Sequence, residues 1–201
     1  GVQQGFVLIG NDLYYGDDRN SGSFVDNQLK VVDVTTGVTT EILGETPELN
    51  QIRDIEILSS TELVICTDDD FGGTEEQIYV YNLSTGLQTP AAVSVSGTSS
   101  EFEGLGVDDA TGDVYVIDTD AVQILRIENI ASSPTQTDVT PGPWTSLIDL
   151  GDNDIFELGP NGEFITNTAD GILIWDGTTS YEILNTTIQS ALSLSVEPAP
   201  T

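Results

Sequence analysis

The chain has 201 residues, with 34 Asp and Glu against 4 Lys and Arg, so its formal net charge is −30. A surface this acidic repels phosphate backbones and anionic lipid headgroups, which argues against nucleic-acid and membrane-surface binding and favours cations as partners. The chain has no histidine and one cysteine, Cys66, so histidine-based catalytic triads, histidine-based metal sites, thiolate clusters and intrachain disulfides are excluded.

The charge also predicts a preference for salt. Self-repulsion at this net charge destabilises a compact fold, and the Debye length of about 8–10 Å near physiological ionic strength means that added salt relieves it. The low lysine content and the abundance of Asp, Thr, Ser, Gly and Val resemble marine or halophilic secreted proteins. The alternative is an acidic protein that its charge keeps soluble.

Four similar units follow one another along the chain. In each unit a short apolar run leads into an aspartate, and these residues, spaced by 51, 51 and 50 positions, are Asp18, Asp69, Asp120 and Asp170. A period near 50 in a strand-rich chain predicts propeller blades or another stacked β array, because one such unit cannot bury its own apolar face. We expect a single all-β domain over 1–201, a four-bladed β-propeller with blades at about 1–50, 51–100, 101–143 and 144–187.

Each unit is predicted to contain four short strands separated by Gly, Asn, Asp, Ser and Thr turns. In the first unit these strands are Phe6–Ile9, Leu13–Tyr15, Gln28–Val34 and Val38–Leu43. In the second they are Asp54–Leu58, Glu62–Thr67, Gln77–Asn82 and Ala91–Val95. In the third they are Gly104–Val107, Asp113–Asp118, Val122–Glu128 and Thr135–Val139. In the fourth they are Asp154–Leu158, Glu163–Thr166, Ile172–Trp175 and Tyr181–Leu184.

The third unit carries a recognisable motif, Glu103-Gly-Leu-Gly-Val-Asp-Asp-Ala-Thr-Gly-Asp-Val-Tyr-Val-Ile-Asp118. It resembles the secreted bacterial β-propeller repeat proteins, in which Glu-Gly-Leu, an Asp-x-x-Thr-Gly hairpin and a Val-Tyr-Val strand follow one another. This resemblance implies the propeller fold and a secreted or cell-surface location. Propellers of many functions share the motif, so it says little about chemistry.

After the fourth unit, residues 188–196 alternate in polarity and predict a surplus strand. This strand could pair with an edge of the same ring, pair with another molecule to give a homo-oligomer or filament, or mark a chain cut from a longer parent. The final stretch, Val196-Glu-Pro-Ala-Pro-Thr201, is similar to the Pro-Glu-Pro sorting motif of exosortase-anchored bacterial surface proteins. It lacks a proline before Glu197, and neither a membrane helix nor a basic tail follows it.

The recurrent aspartates are the candidate metal ligands. They follow the second strand of each unit, so a propeller would place them on one face. Hard cations such as Ca²⁺ prefer 6–8 oxygen ligands, which Asp, Asn and backbone carbonyls supply. The candidates are Asp18, Asp68, Asp69, Asp70, Asp120 and Asp170. The alternative is that each aspartate caps its own turn.

An enzymatic alternative comes from another resemblance. Calcium-dependent lactonase-like propellers hold a central cation with Glu, Asn and Asp, and Glu103, Asp54 and Asn167 occupy suitable inner positions here. We nevertheless expect a secreted or surface-displayed structural or interaction module that binds cations such as Ca²⁺ and assembles with itself, rather than an enzyme. The alternative is a calcium-dependent, lactonase-like hydrolase.

Overall fold

A computed structural model describes residues 5–18, 27–43, 52–67, 77–87, 102–119, 121–142, 144, 156–168 and 171–184. These residues form sixteen strands in four antiparallel sheets of four strands each. Sheet 1 contains β1 Phe6–Ile9, β2 Asp12–Asp18, β3 Asn27–Asp33 and β4 Thr39–Leu43. Sheet 2 contains β5 Ile52–Ser59, β6 Glu62–Thr67, β7 Gln77–Asn82 and β8 Gly86–Leu87. Sheet 3 contains β9 Phe102–Asp108, β10 Asp113–Asp118, β11 Gln123–Glu128 and β12 Thr135–Asp138. Sheet 4 contains β13 Phe156–Leu158, β14 Phe164–Thr168, β15 Gly171–Trp175 and β16 Ser180–Leu184.

Every sheet is a meander in which each strand pairs with the next strand in the sequence. Short polar turns explain this order, because a tight turn joins antiparallel neighbours. The turn after β3 is an example: the carboxylate Oδ1 of Asp33 accepts hydrogen bonds from the backbone N–H groups of Thr35 at 2.8 Å and Thr36 at 3.1 Å. Gly37 then adopts a φ of 71°, a conformation that favours glycine.

Three apolar clusters hold successive sheets together. Val7 and Leu29 of sheet 1 pack with Ile55, Leu63 and Ile65 of sheet 2 in the first cluster. The second cluster joins sheets 2 and 3 and contains Val64, Cys66, Ile78, Val80, Phe102, Leu105, Val114, Val116, Leu125, Ile127 and Ile130. The third joins sheets 3 and 4 and contains Ile117, Ile124, Trp144, Phe156, Phe164 and Leu173. Full burial of one such side chain contributes about 1.5–3 kcal/mol relative to exposure, so these clusters account for the cohesion of the sheets.

The first strands of neighbouring sheets lie beside one another: β1 contacts β5, β5 contacts β9, and β9 contacts β13. Glycine permits the closest of these approaches. A Cβ added to Gly104 would lie 2.6 Å from the backbone nitrogen of Phe156, and one added to Gly106 would lie 2.9 Å from the Cβ of Leu158. Larger residues at these positions would push β9 and β13 apart.

Most predicted strands overlap strands of the structure, and many of their bounds differ by one to three residues. Val122 lies in a turn with a φ of 53°, so β11 begins one residue later than predicted. Val34 likewise belongs to the turn after β3. The predicted fourth strand of the second unit, 91–95, lies outside the described residues, which contain another strand, β8, paired with β7.

Cys66 and Trp175 lie at contacts between sheets. Cys66 is fully buried in the second cluster, as expected of a small apolar residue. Trp175 lies on β15 and packs against the third cluster, as expected of a core residue on a third strand.

In the part of the chain that the structure describes, no helix has the length and apolar character needed to cross a bilayer.

Candidate functional site

The loop aspartates proposed as metal ligands fall at the ends of the second strands. Asp18 is the last residue of β2. The others, Asp68, Asp69, Asp70, Asp120 and Asp170, lie outside the described residues. Strand pairing identifies the residues at this level of the four sheets. They are Asp17, Thr67, Asp118 and Thr168, and they pair with residues of the third strands, namely Gln28, Gln77, Gln123 and Gly171.

Several described acids and amides serve their own turns. Asn82 repeats the geometry of Asp33, with its side-chain oxygen accepting from Ser84 N–H at 3.0 Å and Thr85 N–H at 3.1 Å. Asp176 does the same for the two threonines that follow it, at 2.9 and 2.7 Å. Hydrogen bonds from Thr35 lower the pKa of Asp33. These turns follow the third strands, and the hydrogen bonds within each turn explain why an acid or amide is present there. No bound ligand is needed to explain these side chains.

A second recurring acid is the first residue of the second strand in sheets 1 to 3 and directly precedes β14 in sheet 4. Asp12, Glu62, Asp113 and Glu163 are spaced by 50, 51 and 50 positions. In three of these cases the structure gives a local partner: Glu62 accepts from Ser59, Asp113 from Arg126, and Glu163 from Asn161. This repeat was not predicted from the sequence, and the three acids with these partners stabilise their local structure.

Three of the four basic side chains form ion pairs with acids of the strands. Lys30 pairs with Asp17. The guanidinium of Arg126 lies 2.5 Å from Asp113 and 3.0 Å from Glu128. Arg53 Nη2 lies 3.6 Å from Glu103 Oε1. Most of the positive charge of the chain is thus engaged at these positions.

The Arg53–Glu103 pair joins two bulges. In β5 the pairing passes from Ile52 to Asp54, which leaves Arg53 as the extra residue, and in β9 it passes from Phe102 to Gly104, which leaves Glu103. The two bulged residues therefore occupy equivalent positions of neighbouring first strands. Both side chains are largely buried, with exposed fractions of 14% and 4%.

Asp54, which follows Arg53 in the chain, belongs to a group of carboxyl side chains that we call the inner carboxyl cluster: Asp54 and Glu56 on β5, and Glu157 on β13. All three are partly buried. Asp54 bridges to the next sheet, since its Oδ2 accepts from the backbone N–H of Leu105 at 2.8 Å while its Oδ1 accepts from Ile55 N–H at 2.9 Å.

Burial raises the pKa of every member of the inner carboxyl cluster, and the charge of Asp54 adds to the shift of both glutamates. Burial raises the pKa of Asp54, against the opposing effect of its two backbone hydrogen bonds. Burial and then the charges of Asp54 and Glu157 raise the pKa of Glu56. Burial and then Asp54 raise the pKa of Glu157 to about 7. At neutral pH the cluster therefore retains protons that exposed carboxyls would have lost.

Strand register explains why Glu56 and Glu157 are equivalent. Leu63 of β6 and Phe164 of β14 are equivalent, because each directly follows the recurring acid Glu62 or Glu163. Glu56 pairs with the next residue of β6, Val64, and Glu157 pairs with the next residue of β14, Ile165. The two glutamates are 101 positions apart, which is two repeat periods. That spacing was the signal that could have identified them.

Of the three residues suggested by the lactonase resemblance, two lie on neighbouring first strands. Asp54 is on β5 and Glu103 on β9, while Asn167 lies on the second strand of sheet 4, β14. The guanidinium of Arg53 beside Glu103 would compete with a cation for that carboxylate. Within the described ranges, no group of three or more His, Cys, Asp or Glu side chains is arranged to hold a metal ion.

Comparison with known proteins shows the fold. No protein-family model matches the chain, and no curated protein matches it. Among solved structures, an auxiliary nutrient binding protein from Bacteroides ovatus matches 85% of this chain and 37% of its own, at 15% identity and a TM-score of 0.59. The extracellular domain of a putative hybrid two component system from B. thetaiotaomicron matches 94% of this chain and 23% of its own, at 16% identity and a TM-score of 0.56.

A third match is a gluconolactonase from Xanthomonas campestris, which matches 87% of this chain and 58% of its own, at 12% identity and a TM-score of 0.60. The chain is thus an all-β protein with a β-propeller-like fold. It spans less than two thirds of the length of each of these three proteins. At such low identities the likeness concerns the fold alone.

Proposed function

We propose that the chain is a secreted or cell-surface binding module, built of four propeller blades, that attracts hydrated cations to the inner carboxyl cluster through its charge. The observation that carries this proposal is the presence of Asp54, Glu56 and Glu157 on first strands, where the charge of Asp54 raises the pKa of both glutamates. A cation relieves this repulsion. The extracellular location is supported by the extracellular domain among the structural matches and by the acidic composition.

The chemistry of the cluster suits a hard, hydrated cation. Carboxylate oxygens are the ligands that Ca²⁺ prefers, and Ca²⁺ commonly keeps water in its coordination shell. The described residues contain no group of three acids arranged to hold a metal ion directly, so we expect the ion to keep its water shell beside the cluster. Binding requires the carboxyls to lose their protons, so affinity should rise as the pH rises through the raised pKa values.

Calorimetric titration with CaCl₂ at constant ionic strength tests the proposal. The double variant Glu56→Gln/Glu157→Gln should lose binding, while Glu41→Gln, which removes one exposed carboxylate on β4, should retain it. Constant ionic strength separates a bound ion from general screening. Equal heats for the wild type and the double variant would exclude the cluster as the site.

The loop aspartates form a separate cation proposal. Asp18, Asp68, Asp69, Asp70, Asp120 and Asp170 come from sequence alone, and three adjacent carboxylates at 68–70 attract positive charge. The triple variant Asp68→Asn/Asp69→Asn/Asp70→Asn in the same titration distinguishes the loops from the inner carboxyl cluster. Loss of the calcium heat in this variant alone would move the site to the loops.

A cation-dependent, lactonase-like hydrolase is the second candidate. Asp54 and Glu103 on neighbouring first strands favour it, together with the fold shared with a gluconolactonase. The Arg53–Glu103 pair weighs against it. Turnover of a lactone and ester panel with Ca²⁺, abolished by a chelator and by Asp54→Asn, would establish it over the binding module.

Self-assembly through the C-terminal strand is a further part of the proposal, based on the alternating sequence of residues 188–196. These residues lie outside the described part of the chain. Deleting residues 188–201 and measuring particle size by light scattering tests it. Assembly that persists after the deletion would remove strand donation as its cause.

A further inference from the structure

Each sheet has two faces that meet different neighbours. We call the face toward the preceding sheet the front face and the face toward the following sheet the back face. In sheet 2, Ile55 and Leu63 are on the front face and pack against sheet 1, while Val64 and Cys66 are on the back face and pack against sheet 3. Sheet 3 repeats this, with Leu105 on its front face in the second cluster and Ile117 on its back face in the third.

Strand register identifies the matching positions of the first strands. The equivalent residues are Ile55, Leu105 and Phe156. They pair with Ile65, Val116 and Thr166, and each of these partners is the fourth residue after the turn residue Thr61, Gly112 or Gly162. All three are on front faces and are essentially buried, with exposed fractions of 0, 0 and 1%. Ile57, Val107 and Leu158, two residues further on, also pack against the interface clusters.

In sheet 1 the equivalent residues are Phe6 and Leu8. Phe6 pairs with Tyr15 and Leu8 with Leu13, at the same level as the buried residues of the other sheets. Phe6 is nevertheless 57% exposed and Leu8 53% exposed, while Val7 between them is buried against sheet 2. The front face of sheet 1 therefore has the apolar residues of a sheet interface without the burial seen at the other three front faces.

The back face of sheet 4 also has the apolar residues of a sheet contact, and no sheet follows it among the described residues. Ile165, Ile174 and Ile172 are equivalent by register to Val64, Val80 and Ile78, which form the back face of sheet 2 in the second cluster. Ile165 is buried, and the other two are partly buried. Each of the three contacts between successive sheets joins a back face to a front face. The two terminal faces are likewise one back face, on sheet 4, and one front face, on sheet 1.

We infer that the front face of sheet 1 is an interaction surface for the back face of sheet 4 in a second copy of this chain. The contact continues the packing that joins sheets 1 to 4, with Phe6 and Leu8 taking the roles of Ile55 and Ile57. It is a heterologous contact, so two or more copies can close a ring or extend a chain of sheets. Glu157 of the inner carboxyl cluster pairs with Ile165 and therefore lies on this back face, and the net charge of −30 opposes association and makes it dependent on salt.

Cysteine cross-linking tests the contact and its direction. Leu8→Cys and Ile174→Cys are prepared separately, mixed, and treated with a short bismaleimide in about 1 M NaCl, where the Debye length is about 3 Å. Wild-type protein, whose one cysteine is the buried Cys66, is the control. We expect cross-linked dimers in the mixture and much less with either variant alone.

Other outcomes of this experiment would overturn the inference. Dimers from Leu8→Cys alone would show that two front faces meet instead. A cross-link within one molecule of the double variant Leu8→Cys/Ile174→Cys, with none in the mixture, would show that sheet 4 closes onto sheet 1 in the same chain.

Sedimentation over a concentration series provides the second test. The variant Phe6→Ser/Leu8→Ser should weaken self-association by more than about tenfold, since it removes two large apolar side chains from the contact. Val34→Ser/Val38→Ser is the matched control: these residues are 52% and 61% exposed but lie in the β3–β4 turn. A monomeric wild type at every concentration, or equal weakening in both variants, would refute the contact. So would loss of association only on deletion of 188–201.

Discussion

Replacing Glu157 with glutamine should stabilise the protein at alkaline pH and leave its stability near pH 4.5 almost unchanged. In the folded protein, burial and the charge of Asp54 raise the pKa of Glu157 from its ordinary value of 4.5 to about 7. Between these two values the folded state binds more protons than the unfolded state, so the free energy of unfolding falls as the pH rises. Glutamine has nearly the same size and stays neutral, so it removes this loss.

The size of the effect follows from the shift. One pKa unit corresponds to 1.36 kcal/mol, so the loss is at most about 3 kcal/mol, absent below the unfolded pKa and complete above about pH 7. Water contact at this partly buried side chain reduces the value, and 1–2 kcal/mol is a reasonable expectation.

Urea unfolding followed by tryptophan fluorescence measures this quantity, because Trp144 is fully buried in the third cluster. Unfolding free energies of wild type and Glu157→Gln would be compared from pH 4.5 to 8.5 at constant ionic strength in the presence of a chelator. The exposed Glu41→Gln controls for the change in net charge. Parallel pH profiles for wild type and Glu157→Gln would refute a raised pKa at Glu157.

Three further predictions concern stability. Gly104→Ala should lower the free energy of unfolding by about 1–3 kcal/mol, because its Cβ would lie 2.6 Å from the Phe156 backbone. The control Gly142→Ala, whose Cβ would have no neighbour within 4 Å, should lower it far less. Equal losses in chemical unfolding would contradict close packing of β9 on β13. Asp33→Ala should lower stability by about 1 kcal/mol through loss of the turn hydrogen bonds, and an unchanged melting temperature would exclude this role. A double-mutant cycle with Arg53→Met and Glu103→Gln should give a coupling energy above about 0.5 kcal/mol, whereas additive effects would show no interaction.

The sequence was sufficient to predict the repeated strands, because their signals are local. Alternating apolar residues, turn residues such as Asp33 and Gly37, and the period near 50 each act within a few residues of one another or repeat along the chain. The error at Val122 arose where a β-branched residue adopts a left-handed conformation in a tight turn, against its usual preference.

The inner carboxyl cluster could not be predicted in the same way, because it depends on contacts between sheets. Nothing local distinguishes Glu56 from other acids of a chain that has 34 of them. Its raised pKa results from burial between sheets and from the charges of Asp54 and Glu157, the latter two repeat periods away in the sequence. Asp54 and Glu103 were named through a resemblance, and the pairing of Glu103 with Arg53 became visible only when the bulges of β5 and β9 were placed side by side.

Asp54 links the candidate site to the packing of the sheets. At the equivalent position sheet 1 has Gly5 and sheet 3 has Gly104, and in both cases the first strand of the next sheet comes into close backbone contact. Sheet 2 instead has a carboxylate, whose hydrogen bond to Leu105 N–H takes the place of that contact. Asp54 therefore occupies space that sheets 1 and 3 close with glycine. A ligand bound there would act on the contact between sheets 2 and 3, so hydrogen exchange at Leu105 should slow when the ligand binds.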